Sequence, residues 1–394
     1  MCGSCDEQLQ STAPYLQPPS NSLDRLPTEL KGEIVRWASF GAEKNATLAS
    51  LRLLSWDFCY YATPLSFKEI ELWPERNGPL LFQRFHEDVA LRHGSLVQRI
   101  IIEARTEDIN LDSHPLTLDD ALMLRRIALI LPHLCNLTRL HLDILPATAG
   151  DFEYEPQLDL LGRVPLPFLE WLALTAYCTR PMDPIRLAET IRRFKGVRHL
   201  SIAGVVWTHG GELAEAIVSL PLVGLRIDDV DGPIIRHLAQ ADLNLSITHL
   251  AIIDCPATTL ADLHLLFVRL ARTLTHLKLE IQEELPWSSP INNAFPFVLQ
   301  AFTLRAPPEH ALPLLSYFRQ CPFTEFRLEG SLEAELKMPL YTMLIRAVRD
   351  VGQGVLKRVR VEVRNEKERE AYEQWRPVLQ EKLLYEVAVV AGKF

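Results

Sequence analysis

The chain has 394 residues, 48% of them hydrophobic and 23% charged, and a formal net charge of −9. That length exceeds one ordinary compact core, and the acidic balance argues against a general nucleic-acid binder, which needs a concentrated basic surface for phosphate contacts. The longest apolar run, Ala121 to Leu131, carries Arg125 and Arg126 and is too short to cross a bilayer, so no membrane association is expected. The N-terminus lacks a basic segment followed by an apolar stretch, and the seven scattered cysteines are an odd number. Free thiols in a reducing compartment, the cytoplasm or nucleus, are therefore expected.

Residues 1–23 are rich in Ser, Gln and Pro and are expected to be disordered. They contain Cys2-Gly-Ser-Cys5, but no second ligand pair stands at a matching distance to complete a tetrahedral zinc site. No metal and no cofactor is expected anywhere in the chain.

From 24 to 66 the pattern is helical. Leu26, Leu30 and Ile34 stand four apart on one helix face, with Pro27 tolerated in the first turn and Glu29 near the positive end. A polar link from Gly41 to Asn45 precedes a second helix carrying Leu48, Leu51 and Leu54. Ser55 is placed to cap a third, Trp56 to Ala62, which Pro64 is expected to close. Three short helices make a poor independent core, so part of their apolar surface should be covered by the repeats or by another protein.

From 67 to 364 a six-residue motif recurs, Leu-x-x-Leu-x-Leu with Ile, Val or Phe allowed at the apolar places. Copies begin at Phe67, Val97, Leu137, Leu169, Val197, Leu222, Ile247, Leu274, Leu299, Phe323 and Leu356, at intervals of 24 to 40 residues. Each copy reads as a short strand: in Val197-Arg-His-Leu200-Ser-Ile202 the apolar residues alternate with the residues beside them. Helical stretches lie between. Asp183-Pro184 offers a cap and first-turn proline, Thr259 precedes the run Leu260 to Ala271, and Pro132, Pro167, Pro221, Pro296 and Pro322 stand shortly before the next strand. The period and the alternation predict an α/β leucine-rich-repeat-like solenoid, a horseshoe with a parallel sheet on its concave face.

The repeats depart from the common leucine-rich pattern. Where that pattern has Asn or Cys beyond the last leucine, this chain has Leu145, Tyr177, Val205, Val230, Cys255 and Gln282, of which only Cys255 fits, so irregular curvature is expected. Insertions at Thr106 to Leu116, Asp151 to Asp159 and Leu285 to Pro296 read equally as recognition loops or as tolerated insertions.

Residues flanking the inward apolar positions should form two ladders across the sheet. The first holds Arg99, Arg139, Trp171, His199, Gly224, His249, His276, Ala301, Glu325 and Arg358. The second holds His141, Ala173, Ser201, Arg226, Ala251, Lys278, Thr303, Arg327 and Arg360. Trp171, His199, His249, His276, Arg327, Arg358 and Arg360 are the candidate partner contacts, since aromatic and Arg side chains anchor interfaces. The histidines read either as a pH-sensitive contact or as plain solvated strand residues.

Residues 365–394 are expected to form a capping helix, with Tyr372, Trp375, Val378 and Leu379 at spacings of three and four, and a tail. An amphipathic helix for a partner is the alternative. No phosphate-cradling Gly-rich loop, G-x-S-x-G or H-E-x-x-H is present, and no enzymatic activity is expected.

Ahead of the repeats, Leu26-Pro27, Glu29-Leu30, Ile34, the stretch Leu48 to Leu54, Ser55-Trp56-Asp57-Phe58 and Pro64-Leu65-Ser66-Phe67-Lys68-Glu69-Ile70 resemble an F-box, in the form common among fungal F-box proteins. Trp56 directly follows a serine where the family often has an intervening polar residue, which leaves the register of the third helix open. The resemblance implies that Leu26, Pro27, Leu30, Ile34, Leu51, Leu54 and Trp56 form or support a surface for a Skp-type adaptor and, through it, a cullin. The repeats would then hold an unknown target protein, making the chain the substrate-recognition subunit of an SCF-type cullin-RING ubiquitin ligase. The rival reading is a leucine-rich scaffold that binds a protein partner without ligase assembly.

Overall fold

A computed structural model describes residues 22–40, 43–72, 82–102, 127, 129–144, 161–176, 184–206, 211–231, 233–241, 246–256, 258–281, 299–306, 314, 318, 321, 323–329, 358–363 and 386–391. The chain divides into two compact units, residues 1–69 and 70–394. The tail with Cys2 and Cys5, the three insertions, Leu145, Tyr177, Gln282 and most of the expected C-terminal helix lie outside the described residues.

The first unit holds three helices, α1 (Thr28–Ala38), α2 (Lys44–Arg52) and α3 (Trp56–Lys68). Pro27 stands at the N-cap of α1, where a missing N–H costs nothing, and the Ser55 hydroxyl accepts a hydrogen bond from the Phe58 N–H at 3.4 Å to cap α3. Helix α3 packs on both others through a small core of Val35, Leu48, Phe58 and Ala62, with Leu51, Tyr61 and Leu65 against it. Lys31 is buried on α1, and its ammonium donates to Asp57 Oδ2 on α3 at 2.6 Å, so the pair fixes one helix to the other.

Pro64 does not end α3, which runs on to Lys68 with the proline inside it. Pro64 removes the N–H that would donate to the Tyr60 carbonyl, one bond of the helix ladder, while Thr63 and Ser66 donate their hydroxyls to the neighbouring Cys59 and Ala62 carbonyls at 2.7 and 2.8 Å. The helix therefore takes in Phe67 and Lys68, and the first strand begins at Glu69.

The second unit is an α/β array built on one sheet of twelve strands, β1 (Glu69–Leu72), β2 (Arg99–Ile102), β3 (Arg139–Ile144), β4 (Trp171–Ala176), β5 (His199–Val206), β6 (Gly224–Asp231), β7 (His249–Ile253), β8 (His276–Glu280), β9 (Leu299–Arg305), β10 (Phe323–Glu329), β11 (Arg358–Val363) and β12 (Glu386–Ala391). Their order in the sheet is their order in sequence, and every registered pairing from β2 to β12 is parallel. Every copy of the repeated motif overlaps a strand; β12 is a further strand in the segment expected to be helix and tail.

Between strands run α4 (Pro184–Arg193), α5 (Gly211–Val218), α6 (Ile234–Gln240) and α7 (Leu260–Leu270), each packed on the next. Helix α4 opens at the expected proline. Helix α7 opens with a reciprocal capping box in which the Thr259 hydroxyl accepts from the Asp262 N–H and the Asp262 carboxylate accepts from the Thr259 N–H. Burial pushes the Asp262 carboxyl up, but hydrogen bonds from Arg236, at 3.0 Å, and from Thr259 outweigh it and hold the group below its usual range.

Alternate strand residues such as Leu200, Ile202, Leu250 and Ile252 join helix residues such as Leu187 and Ile191 in one continuous core extending from Leu72 to Phe326. Burying each such aliphatic side chain stabilises by about 1.5–3 kcal/mol. Among the described residues no helix is long and apolar enough to cross a membrane.

Two devices repeat along the array. At the starts of β3 to β9 one carbonyl accepts from two consecutive N–H groups of the next repeat, as when Val223 O accepts from Thr248 N at 2.8 Å and His249 N at 3.0 Å. Threonine adds a third donor: the hydroxyls of Thr138, Thr248, Thr275 and Thr324 donate to the carbonyls of Gln98, Val223, Thr248 and Gln300. At the far strand ends Gly204, Asp229 and Asp254 take positive φ of 67°, 47° and 45° at equivalent places in three successive repeats, a conformation that Gly and Asp adopt more readily than other residues.

Cys255 follows, buried, its thiol 3.2 Å from Ile253 O and 3.8 Å from Ile227 O, so it bonds the backbone of this turn and of the preceding strand. Burial raises the thiols of Cys255 and Cys321 from their ordinary 9.0 to about 12. The sign of the linkage follows: between pH 9 and 12 the unfolded chain loses these protons while the folded chain keeps them, so stability is full below pH 9 and falls as pH rises. Thiol alkylation at pH 8, mapped by mass spectrometry, should label exposed Cys135 in the native protein and reach Cys255 and Cys321 only after unfolding.

Candidate functional site

The sheet face away from the helices carries both ladders in the expected register. Arg99, Arg139, Trp171, His199, Gly224, His249, His276, Ala301, Glu325 and Arg358 pair in sequence across β2 to β11. Strand alternation puts them here, because the neighbouring aliphatic residues are committed to the core. An open trough of about 660 Å³ runs over β3 to β9, and Trp171, His199, His249 and His276 line it together. Arg327 on β10 is not among its lining residues; Arg358 and Arg360 belong to β11, the next strand.

One row of aromatic and imidazole rings forms the wall. His249 and His276 stack with centroids 4.2 Å apart and planes within 10°. Trp171 meets His141 edge to face at 6.1 Å, and His141 Nε2 lies 3.2 Å from Asp143 Oδ1 and 3.3 Å from Thr175 Oγ1. Gly224, the gap in the histidine row, is where His199 leans: a Cβ built on Gly224 would stand 2.5 Å from His199 Nδ1. Burial and the neighbouring His249, Arg198 and Arg139 lower the His199 pKa, and burial with His249 lowers that of His276, so both rings are neutral at pH 7.

Gly224→Ala tests this arrangement. The clash is with a ring that can turn, so the stability change should stay within about 1 kcal/mol while His199 is displaced toward water. An NMR titration should then place the His199 midpoint higher than in the parent protein; an unchanged midpoint would show that the ring does not depend on the glycine.

The floor is small or locally neutralised. Ala173, Ser201, Ala251 and Thr303 alternate with Arg226, which pairs with Asp228, and Lys278, which lies 3.7 Å from the buried Glu280 that Arg305 also engages. Among the described residues no group of three or more His, Cys, Asp or Glu side chains is placed to hold a metal ion. The trough offers shape, aromatic surface and hydrogen-bonding groups, the means of a recognition surface.

In the first unit the sequence-selected residues divide by burial. Leu30 is 50% exposed and Trp56 90%; Pro27, Ile34 and Leu54 are also exposed, whereas Leu26 and Leu51 are half-buried and Leu51 packs against the small core. Trp37, Phe40, Leu53 and Tyr60 are further large apolar groups in water that sequence reasoning did not single out. For Trp37 the signal was present, since it continues the Leu30 and Ile34 face at i+7.

No family model matches the chain, and no curated protein matches it in sequence.

Proposed function

We propose that the chain is the substrate-recognition subunit of an SCF-type cullin-RING ubiquitin ligase, with the helices of residues 28–68 as an F-box docking on a Skp-type adaptor. The repeats, read as a leucine-rich horseshoe, hold a target protein on the concave face. The single observation that carries this reading is the exposed apolar set Leu30, Ile34, Trp37, Leu53, Leu54, Trp56 and Tyr60 on a unit whose buried core, among the described residues, is Val35, Leu48, Phe58 and Ala62. Side chains of that size left in water on so small a unit mark a protein-binding surface. The mechanism is positional: holding the target near a conjugating enzyme carried elsewhere in the complex raises its effective concentration, and this chain makes and breaks no bond itself.

Co-purification with a Skp-type adaptor tests it. Leu30→Asp and Trp56→Ala alter exposed side chains, so circular dichroism should remain that of the parent, while adaptor affinity should fall roughly tenfold or more for each change. A folded parent chain that binds no adaptor would leave the scaffold reading.

A further inference from the structure

Two threonines decide which histidine nitrogens face the trough. Thr248 Oγ1 lies 3.2 Å from the Val223 carbonyl and 2.8 Å from His249 Nδ1; Thr275 Oγ1 lies 3.0 Å from the Thr248 carbonyl and 2.9 Å from His276 Nδ1. A hydroxyl has one proton, and a carbonyl can only accept. The proton goes to the carbonyl, so the ring nitrogen must donate to the hydroxyl oxygen. A neutral imidazole with its proton on Nδ1 has a bare lone pair on Nε2. Both rings therefore offer an acceptor on the side away from the threonines.

Stacking at 4.2 Å with planes within 10° holds those two acceptors about 4 Å apart with their lone pairs nearly parallel. Parallel lone pairs do not converge on one metal ion at bonding distance, which requires about 2 Å to each nitrogen. A single donor nitrogen carrying two protons does fit, since at about 2.9 Å from each acceptor it subtends an angle near 90°.

Charge narrows the choice. The trough is lined by Arg226 and Lys278 and by Asp228 and Asp229, two cations against two carboxylates, so its formal charges balance, and Arg226 is paired directly with Asp228. A carboxylate or phosphate would meet two lone pairs, and an ammonium would lie close to Lys278. From β4 to β9 alone the trough spans about 24 Å at 4.8 Å per strand, the reach of roughly seven extended residues.

We propose that this trough binds an extended segment of a partner protein that places a primary carboxamide, the side chain of Asn or Gln, on the paired Nε2 atoms of His249 and His276. The proposal rests on the reading that the repeats hold the target, and it does not depend on the adaptor. Protonation of His276 puts an N–H where the amide must donate, so binding falls as pH drops. The charged and titratable groups facing the pair are His199 on β5, Arg226, Asp228 and Asp229 on β6, Lys278 on β8, and Glu325 on β10.

The test uses the full chain with nitrogen-15-labelled histidine and a positional-scanning heptapeptide array. Long-range proton–nitrogen NMR should find His249 and His276 protonated on Nδ1. The array should retain Asn or Gln at one position about tenfold over Glu, Lys or Leu at pH 7.5, with the preference lost at pH 5. Thr248→Val with Thr275→Val should abolish both the tautomer and the preference. Thr324→Val removes the equivalent hydroxyl, 2.6 Å from Gln300 O but away from the histidines, and should leave both unchanged. Protonation on Nε2, a preference for charged or apolar residues, no peptide retained, or a preference that survives loss of both threonines would each overturn the proposal. Adaptor co-purification from the same preparations separates the readings: adaptor binding without the amide preference sinks this inference alone, and the converse sinks only the ligase assignment.

Discussion

Phe58→Ala should unfold the three N-terminal helices and leave the parallel sheet standing. Phe58 is fully buried and is the largest member of a core whose other buried residues are Val35, Leu48 and Ala62. Emptying such a site costs about 3–5 kcal/mol, and a unit this small has little more than that to lose. Protection of backbone amides by hydrogen exchange should vanish over Thr28–Lys68 while the strands keep theirs. Loss of protection in both regions together would mean that the chain unfolds as one cooperative body.

The same chemical change at Phe302 should behave differently. Phe302 is fully buried on β9, with the Phe318 ring at 4.7 Å and the Phe326 ring at 5.7 Å. The packed rings cannot collapse into the space, so Phe302→Ala is again expected to cost about 3–5 kcal/mol. Because strands pair only with their sequence neighbours, the loss should fall first on β8 to β10. Denaturant unfolding should then show the repeats around β9 melting ahead of those around β5, and a single transition shifted as a whole would contradict that locality.

The strands were legible in the sequence because two faces with opposite demands force a period of two, and because each repeat must supply the same three apolar positions. The ladders followed from the same rule without any tertiary information. Strand β12 was equally visible in Leu384-Tyr-Glu-Val387-Ala-Val389, which fits the repeated motif, but the helical spacing of Tyr372, Trp375, Val378 and Leu379 just before it competed for the same stretch. The threonine device could also have been read, from Leu137-Thr-Arg-Leu140, Ile247-Thr-His-Leu250 and Leu274-Thr-His-Leu277.

Pro64 misled because a proline removes one hydrogen bond from a helix without forcing it to stop, and α3 runs through it to Lys68. Other features lay beyond sequence reasoning. That His199 leans over Gly224, and that two threonines orient two imidazoles, depends on side-chain torsions that no spacing encodes. Whether Leu30 and Trp56 are core or surface depends on what else covers them, and an amphipathic pattern is the same in either case.

The sequential strand order has a consequence for how such a chain can change length. Each strand is joined to the next across a single connection, so closing the sheet at any point orders only the residues between neighbours. Closure entropy grows with the logarithm of that number, and lengthening a repeat from 25 to 40 residues, the range spanned by most of the intervals here, adds only about 0.4 kcal/mol. Insertions can therefore accumulate between strands while β2 to β11 keep their register, and the rows of side chains across the open face stay aligned as the loops around them diverge.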